Sequence, residues 1–137
     1  MSSRLHELMD QSNLLSEEGR HEEAIELALA AWALLPQPQA EHEDFGWVVE
    51  SLIASFFDLQ RYDEAEQWAR VFLSGKEADN LPVGDYFWLG KICFEQNRLE
   101  EARHYFQLAY AEDPYAFEDE PKKYRQFFKQ AQAGQGG

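Results

Sequence analysis

The apolar residues of this chain come in bursts, and within each burst they recur at helical rather than strand spacing. Leu5, Leu8, Met9 and Leu15 share one face of a first helix that ends at Glu18-Gly19. Residues 21–35 are dense in strong helix formers, with Glu22 and Glu23 at the end where the macrodipole favours carboxylates, and Pro36 and Pro38 stop the segment. The polar stretch Gln37 to Asp44 reads as a loop, and Phe45 to Leu59 with Asp63 to Leu73 form a second pair broken at Gln60-Arg61. Ser74 to Pro82 reads as another loop, with Gly75 and Asn80 as turn residues and Pro82 suited to the first turn of the next helix. A third pair, Val83–Glu95 and Leu99–Glu112, ends at Asp113-Pro114. Within Pro121 to Ala131, Tyr124, Phe127, Phe128 and Ala131 make one stripe, with Lys122, Lys123, Arg125 and Lys129 on the other faces.

The predicted fold is all-α, with helix pairs at about 3–36, 44–77 and 83–114 and a capping helix at 121–132, in one domain spanning 1–132. Residues 133–137, in a stretch of Gln, Ala and Gly, are expected to be a disordered tail. Each pair carries the same phrase at its break: Gly19-Arg20-His21-Glu22-Glu23-Ala24, Gln60-Arg61-Tyr62-Asp63-Glu64-Ala65 and Asn97-Arg98-Leu99-Glu100-Glu101-Ala102. Recurrence at 41 and 37 residues marks a helical repeat rather than a single enzyme core. Small residues in the phrase, Ala24, Ala65 and Ala102, together with Gly90, are predicted to sit where paired helices cross.

The third pair resembles the tetratricopeptide repeats: Tyr86, Leu89, Gly90, Ala102, Phe106, Ala109 and Pro114 reproduce that family's spaced pattern. The first pair keeps Leu8, Gly19, Ala24, Ala28, Ala31 and Pro36, with Gln11-Ser12 where Leu-Gly is usual. The second keeps Leu52, Phe56, Ala65, Ala69 and Phe72, with Ile53 in the glycine slot, which implies a wider helix crossing there. The resemblance implies a right-handed superhelix of three helix pairs whose first helices line a concave groove. Carried over, that register turns His6, Met9, Asn13, Ser16 and Glu17 toward the groove, then Trp47, Glu50, Ala54, Phe57 and Asp58, then Gly84, Phe87, Lys91, Phe94 and Glu95. Some members grip a chaperone's C-terminal carboxylate with Lys, Arg and Asn; here only Asn13 and Lys91 match, and Met9 stands in place of a lysine.

Charge narrows the class of partner. The chain holds 26 acidic and 12 basic residues, for a net charge of −14. Residues 1–40 carry 7 acids against 2 bases and 41–82 carry 10 against 3, whereas 83–137 carry 9 against 7. Such a field repels phosphates and anionic headgroups, which argues against nucleic acid and membrane partners. Cys93 is the sole cysteine, so no intrachain disulfide forms, and it reads as a small buried hydrophobe. With no run of apolar residues at the start or long enough to span a bilayer, a cytoplasmic location is expected.

Chemistry is not encoded in any motif. His6, His21, His42 and His104 fall in different elements without metal-ligand or triad spacing and read as surface residues, so no metal, cofactor or catalytic residue is predicted. The acidic runs Glu41-His42-Glu43-Asp44 and Glu118-Asp119-Glu120 lack a calcium loop's glycine and spacing and read as solvated loops. The expected function is non-enzymatic: an aromatic, acidic groove that takes a basic or amphipathic protein segment. The most specific form is a bacterial immunity-type protein neutralising a basic toxin; the alternatives are a secretion-type chaperone and a self-associating scaffold using Trp47, Phe57, Phe87 and Phe94 as a homodimer interface.

Overall fold

The computed structural model describes the backbone of residues 3–79 and 85–136, and side chains for 3–74 and 86–130. Ser3 opens helix α1 (Arg4–Glu17) by accepting the His6 N–H on its side chain. Helix α2 (His21–Leu34) follows, then a single 3₁₀ turn at Gln39–Glu41 inside the stretch predicted as loop. Helices α3 (Phe45–Asp58) and α4 (Tyr62–Asp79) form the second pair, α5 (Asp85–Glu95) and α6 (Leu99–Glu112) the third, and α7 (Lys122–Gly136) ends the described chain. All the described regular structure is helical, and consecutive helices pack as pairs.

Two boundaries differ from the sequence expectation. Helix α4 continues through Gly75 to Asp79, because one glycine costs only about 1 kcal/mol against the helix formers Lys76, Glu77 and Ala78 around it. Helix α7 runs to Gly136 instead of fraying at 133, since Gln and Ala propagate a helix that its apolar stripe has already anchored. Asn80, Pro82, Val83 and Gly84 lie outside the described residues.

Contacts gather in two compact units, residues 1–81 and 82–137. In the first, α1 through α4 bury a core that includes Leu8, Met9, Val49, Leu52 and Phe56. Its small crossing residues Ala24 and Ala65 are fully buried, and Ser12 in the usual glycine slot donates its hydroxyl to the Ala24 carbonyl at 2.7 Å, so the buried oxygen is satisfied. Trp32 meets Trp68 edge-on at 5.0 Å and Phe45 at 5.9 Å. In the second unit, α5 and α6 enclose Cys93, Ala102 and Phe106, and the segment after Pro114 brings Phe117, Tyr124 and Phe128 over them.

Size is exchanged at the helix crossings. Gly90 faces the ring of Phe106, whereas the second pair has Ile53 and Ala69 at the equivalent positions, all four fully or nearly fully buried. Each crossing thus combines one large and one small residue, Phe106 with Gly90 in the third pair and Ile53 with Ala69 in the second.

Candidate interaction surface

The three turns set a common register for α1, α3 and α5. Gly19, Gln60 and Asn97 each adopt a positive φ, and the following Arg20, Arg61 and Arg98 donate their backbone N–H to the carbonyls of Leu15, Phe56 and Cys93. Each arginine then pairs through its guanidinium with the glutamate three residues on, Glu23, Glu64 and Glu101. The hydrogen bond to Glu23 is the main cause that raises the Arg20 pKa, and Glu64 acts in the same way on Arg61. Locked in this way, Glu17, Asp58 and Glu95 are equivalent positions, as are Ser16, Phe57 and Phe94 one residue earlier.

In the first unit most of the assigned face is open. Glu17 and Glu50 are exposed, Asn13, Ala54 and Ser16 are half-buried, and Asp58 leaves 53% of its side chain exposed. Trp47 is half-buried against the edge of His6, and Phe57 against Tyr62 at 5.3 Å. Met9 is a correction: it is fully buried, because on α1 it lies beside Leu5 and Leu8 on the packed side.

The second unit corrects the assignment further, since its part of the face is covered by the chain's own C-terminal segment. Phe87 is 6% exposed and contacts Phe106, Phe117 and Tyr124. Lys91 is buried, with its ammonium 2.9 Å from Glu120 and 3.8 Å from the Trp88 ring centre. Phe94 lies edge-on to Tyr124 and Phe127, and Glu95 accepts a hydrogen bond from the Tyr124 hydroxyl at 2.9 Å and pairs with Lys123. These four residues build the seat of α7 rather than an open groove. The helix periodicity groups them on one face but says nothing about a lid that arrives 29 residues later in sequence.

Several side chains expected at the surface or in solvated loops instead hold helices together. His6 Nε2 lies 2.8 Å from Asp44 Oδ2, so the carboxylate at the start of α3 ties α1 down instead of capping its own helix. His42 accepts the Asp44 backbone N–H on Nδ1, and His21 approaches Asp58 at 3.9 Å. Three of the four histidines are thus half-buried at helix junctions rather than free on the surface. The acidic runs likewise lend Asp44 and Glu120 to internal contacts. Among the described residues no group of His, Cys, Asp and Glu could hold a metal ion.

Residues 84–116, which span α5, its turn and α6, match the family model for the tetratricopeptide repeat. The third helix pair is thus similar to a tetratricopeptide repeat. The match ends at residue 116, inside the loop between α6 and α7, so α7 itself lies outside the matched stretch. No curated protein sequence matches the chain. No described helix is long and apolar enough to cross a membrane. Tetratricopeptide repeats are protein interaction modules, and the pairs preceding this one share its turn, its Arg-Glu lock and its small crossing residues.

Proposed function

We propose that the chain is a protein-binding module without catalytic chemistry, and that it takes a basic protein segment on the first-helix face of its N-terminal unit. The observation that supports this reading is the set of exposed carboxylates Glu17, Glu50 and Asp58 beside the half-buried rings of Trp47 and Phe57. Among the described residues Glu17 and Glu50 have no ion-pair partner, so their field is available to a cation from outside. Rings supply affinity by burial, and unpaired carboxylates steer and orient the approaching charge. A basic toxin held by an immunity-type protein in the cytoplasm is the case that the acidity favours most, ahead of a secretion-type chaperone. A homodimer scaffold is favoured less, because two of its four proposed contact rings, Phe87 and Phe94, lie against α7.

Affinity capture from the native cell at two salt concentrations tests the proposal. A stoichiometric protein of basic pI should be retained at ~50 mM salt and released at ~500 mM, where the Debye length falls to about 4 Å. Glu50→Lys should reduce its capture and slow its association. A neutral or acidic partner retained at the higher salt would replace this reading with the chaperone.

A further inference from the structure

The second unit contains a worked example of how a first-helix face of this chain is filled. Phe94 and Glu95, the two residues at the end of α5, receive α7: the Phe94 ring meets Tyr124 at 5.4 Å and Phe127 at 5.2 Å, both edge-on. Glu95 Oε1 accepts from the Tyr124 hydroxyl at 2.9 Å and pairs with Lys123 Nζ at 2.5 Å. The ammonium of Lys123 also stands over the Tyr124 ring at 5.2 Å. A Lys-Tyr-x-x-Phe helix is thus read by an aromatic-acid pair, rings against ring and cation against carboxylate.

The same aromatic-acid pair stands at the equivalent positions of α3, Phe57 and Asp58, before the same positive-φ turn. There the carboxylate is 53% exposed instead of being covered. In α1 the equivalents are Ser16 and Glu17, which keep the acid but lack the ring. We infer that Phe57 and Asp58 are the docking point for a partner's amphipathic helix carrying a lysine followed directly by an aromatic residue and by a second aromatic three residues later. The inference rests on the proposed partner-binding role of the N-terminal unit and names the chemistry of that partner. Charge complementarity selects the lysine, and the ring pair selects the aromatics. A second copy's α7 is the poorer occupant, because its Tyr124 is 2% exposed in its own unit and would have to leave that core to dock.

A synthetic peptide with the sequence of residues 118–132 is the probe, titrated calorimetrically into the full chain at ~50 mM salt. Saturable binding is expected, weakened about ten-fold or more by Asp58→Lys and changed less than about two-fold by Glu26→Lys, an exposed position on α2 outside the first-helix face. Phe57→Ala should also weaken it, with far-UV circular dichroism reporting whether that variant folds. If it does not, the charge swap decides: a peptide carrying Lys123→Glu should bind the Asp58→Lys chain better than it binds the wild type. Absence of saturation by ~1 mM, or binding indifferent to Asp58→Lys, would overturn the inference. Concentration-dependent self-association abolished by Asp58→Lys would overturn the separate partner in favour of a second copy. Capture of a basic protein that Glu50→Lys releases, with no peptide binding, would leave the proposed function standing and remove only this docking point.

Discussion

Phe106 occupies the space that a side chain on Gly90 would need: a Cβ built there would stand 2.5 Å from two carbons of the ring. Both residues lie in the α5–α6 crossing, and Phe106 is fully buried, so the ring has nowhere to retreat. Gly90→Ala should therefore cost about 1–3 kcal/mol in urea unfolding. Because the second pair holds Ile53 and Ala69 at these positions, Gly90→Ile combined with Phe106→Ala should recover part of the loss. Costs that simply add would show that the two positions do not share the space.

Gln60 and Asn97 hold φ near 62°, a region where a Cβ is strained and glycine is not. Gln60→Gly should raise stability by about 0.5–1 kcal/mol, and Asn97→Gly by less, since asparagine already tolerates that conformation. Thermal unfolding of the two variants beside the wild type checks the order. A loss at Gln60 would mean that its side chain makes contacts worth more than the backbone strain.

The Lys91 ammonium is buried between Glu120 and the Trp88 ring. Removing only the carboxylate takes one counter-charge from a buried ammonium, whereas removing the charge and keeping the stem leaves no buried cation to compensate. Glu120→Ala should destabilise by about 1–3 kcal/mol, and Lys91→Met by less than about 1 kcal/mol. Denaturant midpoints measured at equal slope would separate the two; similar costs would point to packing of the lysine stem as the larger effect.

Phe87 and Trp47 share the groove register that the sequence predicts, yet they should fail differently. Phe87→Ala opens a cavity in the second unit and should cost about 3–5 kcal/mol of stability. Trp47, half-buried at the surface of the first unit, should lose less stability on truncation and instead weaken partner binding by about 2 kcal/mol. Measuring stability and affinity on the same variants tests the split. A Phe87→Ala chain of unchanged stability would return that ring to the open face.

The amino-acid sequence by itself determined the helices, their pairing and the three turns, because each depends on residues within a few positions of one another. Leu5, Leu8 and Met9 reveal a period of 3.6, and Gln60-Arg61 and Asn97-Arg98 announce the same break wherever they occur. Burial of Ala24, Ala65 and Ala102 was legible for the same reason, since the repeat places them in one recurring slot. Which first-helix face stays open was a decision of the tertiary structure alone. Equivalent positions share a register, but Glu95 is covered by Lys123 and Tyr124 while Asp58 is more than half exposed. That difference comes from α7, a segment outside the repeat, whose Tyr124 reaches Glu95 across 29 residues, as Glu120 reaches Lys91. Local periodicity carries no information about contacts at such separation: a helix pattern tells which side chains lie together, and only the packed chain tells what lies on top of them.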